Sequence, residues 1–151
     1  MKFLSMFLTM MVLFTAYARA DDVPGATGRW LTQNQRAVIR IKPCGDKLCG
    51  KVDWIIKDGM KTDEKNPDAS QRARPMCGLP LLWDFTAQDA AHWSGGFIYK
   101  ADDGDTYHAT MQLLAPDKLL VHGYIGMPLF GVSQTWTRVS AKDYPPCKAH
   151  R

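Results

Sequence analysis

Four histidines, four cysteines and a scatter of carboxylates are the residues with which this chain could do chemistry. The histidines are His92, His108, His122 and His150. His108 and His122 fall on the polar parity of adjacent predicted strands, and two neighbouring imidazoles can seed a metal site. No third ligand accompanies them in the pattern, so solvent-facing strand residues are the plainer reading and no metal is assigned. Asp102 and Asp103 are paired carboxylates, but they precede Gly104 in a turn, where Asp serves local hydrogen bonding. The sequence has no Gly-x-Ser-x-Gly elbow, no His-Glu-x-x-His and no phosphate loop. With no convergent catalytic set, the residues point away from an enzyme and name no cofactor.

The cysteines fit disulfides better than metal or redox chemistry. Cys44, Cys49, Cys77 and Cys147 follow one another at spacings that match no zinc pattern, and no Cys-x-x-Cys is present. An even number suits an oxidising compartment, and three pairings are open. Cys44 and Cys49 flank the turn-like Gly-Asp-Lys-Leu, which favours Cys44–Cys49 and leaves Cys77–Cys147 by elimination.

Two further groups are candidates for binding. Asn66, Asp68, Arg72 and Arg74 stand together in the polar segment 57–78. In an extended segment the two arginines share a face and can fork an anion. The plainer reading is that Asp63, Asp68 and the arginines tie the loop to the domain. The aromatics Trp54, Phe97, Tyr99, Tyr107 and Trp136, with Met111, fall on predicted inward faces. They either fill a core or line a pocket, with small neighbours (Ala37, Gly95, Ala109, Gly123) leaving room beside them.

The elements that must position these residues are short and alternate apolar with polar. Candidate strands lie near 28–33, 36–43, 49–57, 79–86, 94–101, 105–114, 118–126 and 132–139, and long helical periodicity is absent. Such spacing suggests a sandwich or an up-and-down barrel. Setting Cys44 opposite Cys49 puts Ile39 opposite Trp54, Ala37 opposite Ile56 and Arg40 opposite Asp53. A turn at Asp102-Asp103-Gly104 puts Tyr99 opposite Tyr107 and Phe97 opposite Ala109. A three-residue turn at Pro116 would set Val121 and Ile125 on the face of Leu113 and Met111. Segment 57–78 interrupts the pattern. Its Asn66-Pro67 reads as an N-cap and first helical residue of a short helix near 67–73. Gly126–Gly131 is an apolar connection that rims a barrel mouth or packs under the 57–78 loop.

Residues 1–20 read as a signal peptide: a basic start, an uncharged apolar core, and Ala18-Arg19-Ala20 at the cleavage position. Cleavage after Ala20 leaves 21–151 as a single domain, periplasmic or secreted. The apolar run is shorter than the roughly 20 residues a membrane span needs. Net charge is +4, and Lys2 and Arg19 account for two of those charges. That balance is too weak to point to nucleic acid.

An ordered set of motifs then carries a resemblance. It runs through Gly28-Arg29-Trp30, Cys44 to Gly50, Asn66-Pro67-Asp68 with Arg72 and Arg74, Gly78-Leu79, Trp93 with Gly95-Gly96, Tyr99, Asp103-Gly104 with Tyr107, Gly123-Tyr124-Ile125-Gly126, and Gln134 to Val139. In this order they resemble the DUF2147 family of bacterial exported proteins, across essentially all of 21–151. The resemblance implies a lipocalin-like fold, an eight-stranded antiparallel barrel with a central cavity. It also implies that Trp30 packs under Arg138 to close one barrel end. The expected function is binding of a small, largely apolar or amphipathic ligand. The alternative is a packed barrel that acts as an envelope interaction or structural protein through the 57–78 and Gly126–Gly131 loops.

Overall fold

The structure, a computed structural model, describes residues 25–148. The expected leader, its cleavage after Ala20, and His150 lie outside the described residues. The strands are β1 (Gly28–Leu31), β2 (Ala37–Cys44), β3 (Lys47–Ile55), β4 (Pro80–Ala87), β5 (His92–Lys100), β6 (Asp105–Ala115), β7 (Lys118–Tyr124) and β8 (Gly131–Arg138). Each pairs with the next and β8 returns to β1, so the sheet is a closed, eight-stranded antiparallel up-and-down barrel. The closing seam is short: β1 and β8 meet at Trp30↔Arg138 and Leu31↔Thr137, and beyond it the Thr135 N–H donates to Gln33 Oε1. The period of two puts Ile39, Ile41, Val52, Leu82, Ala109, Met111, Leu119 and Val121 inside, all buried.

The turns set registers that differ from those expected, with consequences for individual side chains. Between β2 and β3 the turn is two residues long, so Cys44 pairs with Lys47 and Cys49 with Lys42. Cys44 and Cys49 are bonded diagonally, with Cα atoms 5.8 Å apart. This two-residue shift preserves parity, and Ile39 faces Val52. A bulge between Val38 and Ile39 then changes it: Trp54 pairs with Val38, and Ile55, not Ile56, pairs with Ala37. Arg40 faces Lys51, and Asp53 instead pairs with Arg29.

Between β5 and β6 the register slips by one. Lys100 pairs with Asp105, Ile98 with Tyr107 and Phe97 with His108. A one-residue slip moves a whole strand's side chains to the other face. Ile98 and Gly96 therefore take the inner positions expected for Tyr99 and Phe97. The turn is held by the N–H groups of Asp103 and Gly104, which both donate to the Lys100 carbonyl. Gly104 has φ +79°, and a Cβ there would overlap the Lys65 carbonyl, so this turn is fitted against the 57–78 segment. At the β6–β7 turn Ala115 pairs with Lys118, Val121 faces Met111, and Ile125 is 70% exposed beyond the strand end.

The expected helix near 67–73 is a single 3₁₀ turn, Ala69–Gln71. Its N-cap is Asp68, whose carboxylate accepts from the Ser70 N–H, and not Asn66. Asn66 is buried and serves the loop instead. Its Nδ2 donates to Asp63 (2.7 Å) and its Oδ1 accepts from the Asp68 N–H (2.9 Å).

The two barrel ends are built differently. At one end Trp30, fully buried, lies under Arg138, whose guanidinium carbon is 4.1 Å from the indole centroid. Arg138 donates from Nη1 to the Thr27 carbonyl, from Nη2 to Gly25 and from Nε to Pro116 (2.6–2.7 Å). Gly28 has φ +131°, and a Cβ there would overlap this guanidinium. Burial holds the Arg138 pKa below the usual arginine value. This stitched end, filled by Trp30, Phe85, Trp93 and Met111, is the barrel floor. The other end carries the 32–36, 56–79, 101–104 and 125–130 connections.

Candidate functional site

A cavity of about 300 Å³ opens at that loop-bearing end. Its walls come from the inner faces of β2, β3, β5, β7 and β8: Ile39, Val52, Ile55, Ile98, Val121, Val132 and Trp136. Small residues make the space. Ala37 and Gly123 stand on this wall, and a Cβ on Gly123 would already meet Ile98 at 3.3 Å. Met60, Met76 and Leu81 extend the apolar lining under the 57–78 segment. Thr32, Asn34, Arg36, Lys100 and Asp102 form a polar rim. The arrangement can bury an apolar body and offer hydrogen bonds to a polar end.

The sequence candidates are distributed unevenly around this cavity. Trp136 and Tyr107 line it. The indole of Trp136 donates to Gln134 Oε1 at 3.0 Å, and the Tyr107 hydroxyl donates to Asp103 at 3.2 Å. Tyr99 touches it from beside the rim but points its hydroxyl away, donating to Asp63 Oδ1 at 2.6 Å. The two phenols do not face each other, because Tyr99 pairs with Thr106. Met111 is buried beside Trp93, deeper than the cavity.

Two more candidates lie off the cavity wall. Trp54 meets Tyr144 of the C-terminal tail edge-on, with centroids 5.0 Å apart. That tail is tied to the barrel by Cys77–Cys147 and by the Cys147 N–H donating to the Asp53 carbonyl. Phe97 stands on the outer face between Trp83 and His108, at centroid distances of 5.9 and 5.0 Å. His108 and His122 are on that same outer wall, but Tyr124 stacks between them. Gly95, expected inside, forms an outer bulge, and Gly96 takes the inner place against the Phe85 ring. Among the described residues no three His, Cys, Asp or Glu side chains gather as a metal site.

The loop candidates form ties, with Asp63 at their centre. Asp63 is fully buried, and Oδ2 accepts from Asn66 Nδ2, Arg74 Nε and Arg74 Nη2 (2.7–2.9 Å). Arg72 Nε donates to the Asn66 carbonyl at 2.8 Å, so the arginines do not converge as a fork. Asp68 is occupied with Ser70, and that hydrogen bonding holds its pKa below the usual carboxylate value. Burial, and then the hydrogen bond to Asp63, push the Tyr99 pKa up to about 12. A short ribbon completes the segment. Thr62 bridges Pro75, the Asp63 N–H donates to the Arg74 carbonyl, and the Met76 N–H donates to the Lys61 carbonyl. Locked this way, Met60 and Met76 reach the cavity.

Sequence reasoning missed Arg36, Met60, Met76 and Ile98. Two methionines in an otherwise polar segment were a usable signal, since a solvated loop has no need of them. Ile98 was hidden by the register slip.

One solved structure of the same fold is titled "Protein HP1028 from the human pathogen Helicobacter pylori belongs to the lipocalin family". It superposes with a TM-score of 0.73 at 21% identity, over 83% of this chain and 92% of that one. Nothing among curated proteins matches the chain. The family model described as "Uncharacterized protein conserved in bacteria (DUF2147)" matches residues 28–138, and the chain belongs to this family.

Proposed function

We propose that the protein is an exported carrier that holds one small, largely apolar ligand in its barrel. The carrying observation is the apolar cavity of about 300 Å³, open at one end and stitched shut at the other by Arg138 and Trp30. An apolar wall with a few polar groups at its rim is the usual chemistry of such sites. The ligand's polar end would sit at Arg36, Tyr107 and Lys100, and its body against Ile39, Ile98, Val121 and Trp136. Export is supported by the signal-like segment 1–20 and by two disulfides, which persist in oxidising compartments.

The test is a native mass measurement on protein purified from the periplasm, with denaturing analysis of whatever dissociates, followed by titration with a fluorescent apolar naphthylamine. The naphthylamine should bind at one site per chain. Gly123→Leu, which fills the cavity from its own wall, should abolish binding. Trp54→Ala, away from the cavity, should leave it unchanged. A bare chain whose naphthylamine response is indifferent to Gly123→Leu would refute the carrier reading and move function to the surface loops.

A further inference from the structure

The connection between β7 and β8 presents large apolar side chains to water beside the cavity mouth. Ile125 is 70% exposed, Met127 61%, Leu129 81%, Phe130 70% and Val132 74%. Ordinary soluble surfaces expose such residues singly, whereas a contiguous run marks an interaction site. Val132 belongs both to this tip and to the cavity wall, so the exposed apolar surface is continuous with the cavity interior.

The tip is also prepared for a medium poorer in water. The Phe130 N–H donates to the Met127 carbonyl, and the carbonyl of Pro128 is held by His122 Nε2 at 2.6 Å. Pro128 brings no N–H of its own. Satisfied backbone groups lower the cost of entering lipid. The sequence carries no acidic residue between Asp117 and Asp143. Arg36 and Lys100 stand on the same rim, and the Arg36 carbonyl accepts from Ile56, which places Lys57 and Lys61 at this end too. Asp58, Glu64, Asp68, Asp102 and Asp105 at the same end offset that charge, and Lys100 is paired with Asp103. The rim is therefore close to neutral, and the apolar, acid-free tip leads.

We propose that Ile125–Val132 inserts into the surface of a phospholipid bilayer, seating the cavity mouth against lipid. Shallow insertion needs only the side chains of the tip itself.

The test is sedimentation with phosphatidylethanolamine–phosphatidylglycerol vesicles. It uses the chain from Asp21, which contains all eight strands and both disulfides. The protein should pellet with the vesicles. The L129S/F130S variant should lower partitioning by about tenfold or more, since each side chain forfeits its apolar transfer. A second measurement uses Phe130→Trp, whose fluorescence brominated lipids should quench. Protein that stays in the supernatant, a variant that partitions like the parent, or an unquenched Trp would overturn the proposal. So would a dimer that the serine variant dissolves without vesicle binding. The naphthylamine titration is indifferent to all of these outcomes, so failure of the cavity reading and failure of the bilayer reading are told apart.

Discussion

Removing one oxygen from Tyr99 tests the lock that holds the 57–78 segment on the cavity. Tyr99 is 6% exposed and Asp63 fully buried, and their oxygens are 2.6 Å apart. Asp63 Oδ2 has Asn66 and Arg74, whereas Oδ1 takes its hydrogen bond from Tyr99. Tyr99→Phe thus leaves a buried carboxylate oxygen without a donor, which costs about 2–3 kcal/mol. The raised pKa of about 12 reports a different quantity, the folded state's preference for the protonated phenol, caused first by burial and then by the Asp63 hydrogen bond, and worth about 3 kcal/mol. The sign follows from proton binding. Between pH 10 and 12 the folded state keeps a proton that the unfolded state has lost, so stability falls as pH rises through this window. Below pH 10 the contribution is complete. The assay is urea unfolding of parent and Tyr99→Phe at neutral pH, with phenolate absorbance titrations of both proteins. A variant within about 0.5 kcal/mol of the parent, the scatter of neutral surface changes, would refute the reasoning. So would a difference titration that ends near 10, the ordinary tyrosine value.

Arg138→Ala should cost about 2–4 kcal/mol, because it removes the indole contact and three hydrogen bonds to carbonyls. Arg138→Lys should recover only part of that, since an ammonium cannot reproduce the fork; full recovery in thermal unfolding would contradict the geometry. The disulfides should differ by the loops they close. Replacing Cys77 and Cys147, 70 residues apart, should cost about 4 kcal/mol, and replacing Cys44 and Cys49, 5 apart, about 2 kcal/mol. Chemical denaturation of the two serine pairs checks this, and equal losses would show that chain entropy is not the governing effect.

The strands were legible because half-buried strands declare themselves by alternation, and all eight fall close to where alternation places them; alternation left a sandwich and a barrel open, and closure was implied by the family resemblance. The inner faces of β2 and β6 were legible for the same reason: a register error of two residues leaves parity intact. Trp54 and Phe97 were misplaced because a bulge and a turn one residue longer each change parity, and neither is written in residue type. Gly104 explains the second case. Its turn is fitted against the Lys65 carbonyl, a contact from a segment about 40 residues earlier in the chain. The Asp63 lock was partly legible as the tie between acids and arginines. Arg74 is the expected tie, and Tyr99 touches the cavity as expected, but the slip that turns its hydroxyl to Asp63 is not written in residue type.

Why the barrel is open at one end follows from residue size along its axis. An eight-stranded barrel is just wide enough for its own side chains to fill it. At the floor the inner positions carry Trp30, Phe85 and Trp93, and Gly96 and Gly50 recede to admit Phe85, Leu82 and Ile39. Toward the mouth the inner positions carry Ala37 and Gly123, and the rings of Tyr107 and Trp136 line the space beside them without filling it. The 57–78 segment does not plug this space, because its one buried carboxylate is spent on Asn66, Arg74 and Tyr99 at the side of the barrel. Gly59, Met60 and Met76 of this segment reach the cavity. Methionine adapts its shape to what it touches, so a wall partly built from it suits ligands of differing outline. The opening is therefore a consequence of where the chain puts its glycines and rings, and the Asp63 lock holds the segment beside it.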